Sequence, residues 1–170
     1  MKILSLIIAS LVSLTLQAAE SNLKLAAGDE IQIQVYEEAD LSMHIWLDET
    51  GVFNYPYLGN IVANGLTIQQ LKSIIHNGLL DGVLINPSVN ISVVKYRNIY
   101  VTGGVKSAGG YPYQPGLSVR QAIALAGGLT EFGSASKIKI RREKMNAAES
   151  AGYDVMIRPG DTITVGEGIF

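Results

Sequence analysis

Val101-Thr-Gly-Gly-Val-Lys-Ser-Ala-Gly-Gly-Tyr-Pro-Tyr-Gln-Pro-Gly116 decides how this chain of 170 residues is read. Five glycines around a Lys106-Ser107 pair suggest a loop that wraps phosphate. Such a loop needs G-x-x-x-x-G-K-[ST] between a strand and a helix, so that backbone amides point at the anion. Here Val105 precedes the lysine, and no glycine stands five residues before it. Two prolines and a strand-like stretch separate the pair from the next helix start at Ser118. The glycines are therefore turns. Val101–Val105 ends a strand, 106–110 is a loop, and Tyr111-Pro-Tyr113 returns as a second strand. With the helix and two strands beyond, the order is β-β-α-β-β, a sheet folded over one helix in the β-grasp manner.

Working outward, alternation marks strands on both sides. Ile31, Ile33 and Val35 alternate with Glu30, Gln32 and Gln34, and Val89, Ile91 and Val93 repeat the pattern. Further strands are predicted at 43–47, 52–55, 99–103, 137–142 and 162–165, with a turn at Asp48–Gly51. Two helix starts echo each other, Gly65-Leu-Thr-Ile-Gln-Gln70 and Gly116-Leu-Ser-Val-Arg-Gln121. In each, Thr67 or Ser118 can accept from the amide three residues on while Gln70 or Gln121 reaches back, and Leu66 with Leu71 forms a hydrophobic staple. Ile68, Leu71, Ile75 and Leu79 give the first helix one apolar face. The second is short and small, Ala122 to Ala126, and Gly127-Gly128 ends it. A Gly-Asp turn enters a strand twice, at Gly28-Asp29 and Gly160-Asp161. The first precedes its unit's helix and the second follows it, so these are two small α+β units meeting near Tyr96-Arg-Asn98.

Composition bounds the function. A formal charge of −2 argues against nucleic acid, which needs a basic stripe; only Lys137 to Arg142 is clearly basic. Residues 1–19 read as a secretory signal peptide cleaved after Ala18 or Ala19, an uncleaved anchor being the competing reading. The chain has no cysteine, hence no disulfide, thiol nucleophile or lipid-attachment cysteine. His44 and His76 have no carboxylate pair at ligand spacing, so no metal, cofactor or catalytic site is predicted. Asp29 and Asp161 imitate a glycosidase pair, but their shared Gly-Asp context marks turn residues that bond nearby amides. Residues 153–162 imitate the opening of a LysM glycan motif, whose two following helices have no room. Tyr55, Tyr57, Tyr111 and Tyr113 flank prolines and could stack on sugars; packing is the plainer reading. Lys137 to Arg142 reads as a charged strand face that discourages edge pairing, with a lining for acidic polymer or a subunit contact as the alternative.

In this order the chain resembles the polysaccharide export family of the bacterial cell envelope, the Wza-type capsule and exopolysaccharide exporters. The first half carries Leu25-x-x-Gly28-Asp29-x-Ile-x-Ile33, Leu41 to Leu47, Pro56-Tyr-Leu-Gly59, Gly65-Leu-Thr67 and Asn86-Pro87-Ser-Val-Asn-Ile-Ser-Val93. The second carries Tyr100-Val-Thr-Gly103-Gly-Val105, Gly110-x-Tyr-x-x-Pro-Gly116, Ala122 to Thr130 with Gly127 and Gly128, and Arg158-Pro159-Gly160-Asp161-Thr-Ile-Thr-Val165. The resemblance implies an α+β fold with an export domain over 20–97 and an SLBB-like β-grasp domain over 98–170, its motif residues structural. It implies a non-enzymatic periplasmic protein associated with the outer membrane. There it would form a homo-oligomeric ring through which polysaccharide passes, with an inner-membrane chain-length regulator as partner. Larger members carry a lipid-bearing cysteine and a terminal membrane helix. Their absence here leads to the expectation of a separate outer-membrane channel. A monomeric glycan-binding module is the alternative.

Overall fold

The computed structural model describes residues 23–143 and 145–168. The expected signal peptide lies outside the described residues. Among those described, the backbone forms two α+β units, each with its own core. In the first, strands β1 (Glu30–Val35), β2 (Met43–Trp46) and β5 (Val89–Lys95) make an antiparallel sheet in the order β2-β1-β5. A hairpin of β3 (Val52–Tyr55) and β4 (Gly59–Val62) lies between them in the chain, followed by helix α1 (Ile68–Leu80). The period-two pattern of β1 sends Ile31, Ile33 and Val35 inward, where they meet Leu71, Ile75 and Leu79 from α1 in one cluster. The helix starts where its capping box dictates: Gln70 N–H donates to Thr67 Oγ1, and Thr67 N–H donates to Gln70 Oε1.

The second unit is a sheet in the order β7-β6-β10-β8-β9, from β6 (Ile99–Gly103), β7 (Gly109–Tyr111), β8 (Gly133–Arg141), β9 (Glu149–Ser150) and β10 (Thr162–Glu167). Helix α2 (Val119–Leu125) buries Val119, Ala122 and Ile123 against it, and Ala126 follows them into the core. The first and last strands, β6 and β10, lie side by side and parallel, as the β-grasp order requires when the crossover carries the helix. All other pairs are antiparallel. This is the α+β class the sequence predicts.

Some details differ. The expected strand at Tyr111–Tyr113 instead covers Gly109–Tyr111, because Pro112 has no N–H for the ladder and Tyr113 turns into the core. The strand expected over 137–142 begins at Gly133 and stops at Arg141. It is internal to the sheet through Lys139 and Ile140, which pair with β9, so edge protection is not its whole role. Strands β4 and β9 are additions. Gly103, at φ +84°, marks a tight point: a Cβ there would run into the Val165 carbonyl oxygen.

Candidate functional site

The two Gly-Asp turns converge on the junction between the units. Asp29 is 0 % exposed and Asp161 1 %. Each carboxylate accepts from the amide three residues earlier: Ala26 N–H to Asp29 at 3.0 Å, Arg158 N–H to Asp161 at 2.7 Å. Each also holds an arginine. Arg97 donates from its backbone amide and from Nη1 to Asp29, both at 2.8 Å, across 68 residues of chain. Its Nε and Nη2 reach Glu143, the latter at 2.7 Å. Arg142 donates to Asp161 and to the Met156 carbonyl oxygen. Arg97 thus sits between a buried carboxylate of the first unit and a half-exposed one of the second. Glycine in both turns keeps the space beside Arg97 clear. A Cβ on Gly28 would stand 3.1 Å from Arg97 Cβ, and one on Gly160 would stand 2.8 Å from Glu143 Cδ. Both glycines have positive φ, near +85°.

Burial pushes the Asp161 carboxyl up from its ordinary value, against the opposing pull of the Arg158 amide and the Arg142 guanidinium. Asp48, in the exposed β2–β3 turn, is shifted down, chiefly by the Thr50 hydroxyl that donates to it at 2.6 Å.

Against this bridge lies a cleft of about 760 Å³. Its walls come from both units: Trp46 and Lys95 from the first, Tyr100, Thr102, Arg141 and Thr162 from the second, with Arg97 and Glu143 at the seam. Trp46 and Lys95 are both register partners of Glu30, so they form one row across the first sheet. Tyr100, Thr162 and Arg141 form a matching row across the second. Large aromatic surface faces water here, with Trp46 63 % and Tyr100 50 % exposed. A second hollow, about 640 Å³, shares Arg97 and Glu143 and is lined by Lys24, Arg142, Met145 and Arg158 around Asp161.

The tyrosines singled out from sequence are not brought together in this cleft. Tyr55 is fully buried and donates its hydroxyl to Leu41 O at 2.7 Å, and a ring with no exposed face has none to offer a sugar. Tyr113 is buried edge-on against Tyr96, and Tyr111 is half-buried with its hydroxyl on the Ser107 carbonyl. Tyr57 is exposed at a hairpin tip with φ +64°. Pro56 is half-buried, while Pro87 and Pro159 are buried. Gly65, Gly116, Gly127 and Gly128 occupy turns at positive φ, and Gly59 takes a positive φ where β4 begins. The cleft's exposed aromatics, Trp46 and Tyr100, carry no flanking proline. Their signal was an aromatic on the polar face of an alternating strand, and it is easily passed over.

A family model described as "Polysaccharide biosynthesis/export protein" matches residues 17–94, and an SLBB domain model matches residues 98–154. The chain is similar to "Exopolysaccharide production protein ExoF" of Rhizobium meliloti (strain 1021), 26 % identical over 147 residues. That match takes in 79 % of this chain and 34 % of the relative, so the chain spans about a third of the relative's length.

Proposed function

From a chain that belongs to the polysaccharide export family, with an export domain followed by an SLBB domain, we propose a periplasmic component of an exopolysaccharide export machine. Its family is one of export proteins of the cell envelope rather than of enzymes. The observation that carries the reading is the ordered pair of domain matches, together with the similarity to an exopolysaccharide production protein. In this reading copies of the chain close a ring, since cyclic closure is the usual way identical soluble subunits satisfy one repeated contact. Polysaccharide passes along it from an inner-membrane chain-length regulator towards a channel in the outer membrane. No described helix is long and apolar enough to cross a membrane.

Translocation needs a wet, polar path and weak contacts rather than a bond-making constellation. The chemistry of the cleft suits that: three aromatic rings, three threonine or asparagine side chains and several cations at a two-unit seam. Among the described residues no group of three or more His, Asp or Glu side chains is placed to hold a metal ion. The buried acids Asp29 and Asp161 are each committed to an arginine, which favours a structural role for them.

Deleting the chain in its host should abolish surface exopolysaccharide while leaving its precursors inside the cell. Unchanged surface polysaccharide would refute the export role. Native mass measurement of the purified protein, alone and with the chain-length regulator, should give one large discrete assembly. A monomer under both conditions would favour the second reading, a monomeric glycan-binding module, for which the aromatic-lined cleft is the supporting observation.

A further inference from the structure

We propose that the outward face of the second sheet, with Trp46 beside it, is a binding site for a glycan chain that carries carboxylates. The proposal rests on the export reading for its ligand class, but the site itself follows from register and charge. Along β6, β10 and β8 the inward residues are Ile99, Val101, Ile163, Val165, Ile138 and Ile140. The outward ones therefore stand in two rows, Tyr100–Thr162–Arg141 and Thr102–Thr164–Lys139, each spanning two strand spacings, about 10 Å. No helix covers this face; α2 packs on the other side.

The charges on this face are unbalanced. Most of the other cations near the seam are matched: Arg97 by Asp29 and Glu143, Arg142 by Asp161, Lys95 by Glu30 at 4.0 Å. Neither Arg141 nor Lys139 forms an ion pair with a described residue, and their cross-strand neighbours on β10 are hydroxyls. On the other flank the register sets Ser150 beside Lys139 and pairs Glu149 with inward-facing Ile140, which turns that acid to the opposite side. Glu143, the acid bordering the cleft, is already occupied by three hydrogen bonds from Arg97. Two unneutralised cations on a chain of net charge −2 are a local demand for anion. The guanidinium fork is suited to a carboxylate in two-point contact.

The aromatic surface narrows the class of anion. Tyr100 lies beside the bare backbone of Gly110, since a Cβ there would meet its ring at 3.2 Å. The ring is thus held beside β7 while half of the residue's surface faces water. Trp46 lines the same cleft. A flat ring beside a row of hydroxyls fits a sugar, whose C–H face packs on the ring while its hydroxyls exchange hydrogen bonds with Thr102, Thr162 and Thr164. A sugar bearing a carboxylate completes the set by reaching Arg141 or Lys139.

Trp46 is the chain's one tryptophan, so its emission reports occupancy of the site directly. The purified protein would be titrated with oligogalacturonate, with the fully methyl-esterified oligomer as an isosteric neutral control, and with a thymidine oligonucleotide. The charged oligomer should change Trp46 emission saturably, and its methyl ester should bind about tenfold or more weakly, the weight of one charge-assisted contact. Arg141→Gln with Lys139→Gln should produce a similar loss while the unfolding midpoint of the free protein stays put. Equal affinity for the neutral ester, full affinity in the double variant, or no saturable response to oligogalacturonate overturns the proposal. So does tighter binding of the oligonucleotide, or an emission change that tracks protein concentration instead of ligand, which would make the face a contact between copies. The double variant expressed in the deletion strain keeps the two readings apart. If it restores wild-type export, the site fails and the export role stands; if deletion itself leaves export intact, the export role fails whatever the titration shows.

Discussion

Two aspartates of this chain have their carboxyls shifted in opposite directions, and each dictates its own pH dependence. Asp161 has its folded pKa raised above the ordinary 3.8 by burial. Folded protein then holds the proton more tightly than unfolded chain, so this group's contribution to stability is full below 3.8 and declines as pH climbs through the folded value. Asp48 is lowered from 3.8 by the Thr50 hydroxyl and nearby amides. Its contribution is present above 3.8 and disappears as pH falls through the lower folded value. In urea unfolding from pH 3 to 7, the deficit of Asp161→Asn relative to wild type should therefore narrow with rising pH. That of Asp48→Asn should widen. Parallel curves for the two variants would contradict this assignment. What the sequence shows of these acids is local: a Gly-Asp turn implies a carboxylate bonding nearby amides, and in both turns the partner is the amide three residues back. The arginines are not legible, because Arg97 reaches Asp29 from 68 residues away and no spacing rule spans that distance.

At the scale of elements, signals confined to a few residues are readable in the sequence. The capping boxes at Thr67 and Ser118 form with both of their reciprocal bonds. Thr67→Ala and Ser118→Ala should each lower stability by about 1 kcal/mol. Gly103→Ala should cost more, about 2 to 4 kcal/mol, because left-handed backbone and the Val165 carbonyl both oppose a side chain there. Chemical denaturation of the three variants checks the ranking, and a Gly103→Ala variant as stable as Ser118→Ala would refute it. Alternation placed β1 and β5 because each has one wet and one dry face. It did not place β4, Gly59-Asn-Ile-Val62, where only Ile61 is buried, nor the two-residue β9. Such strands are specified by the partner beside them. The cleft aromatics were hidden for a related reason: Trp46 and Tyr100 become neighbours of one space only through the docking of two sheets.

At the scale of the molecule, two separate cores are held together across a short connection by Arg97. Its side chain is 13 % exposed, between Asp29 at 1 % and Glu143 at 36 %. Replacing it by methionine leaves the Asp29 charge buried without its cation, an effect of about 3 to 5 kcal/mol. Glu143→Gln removes only the half-exposed arm and should cost less than about 1 kcal/mol. Calorimetry should show Arg97→Met melting in two steps, the first unit ahead of the second, where wild type melts in one. A single unshifted transition in that variant would mean the units are coupled elsewhere.

In both units the strand that opens the fold also lies against the strand that closes it, β1 on β5 and β6 on β10. In the first unit this pair is antiparallel, so entry and exit points are neighbours, a strand's width apart; in the second it is parallel, so they lie at opposite ends of the pair. The first unit can then be spliced into a surface loop of another chain with little distortion of its host. A nick in the middle of a unit should likewise leave its two pieces clasped together.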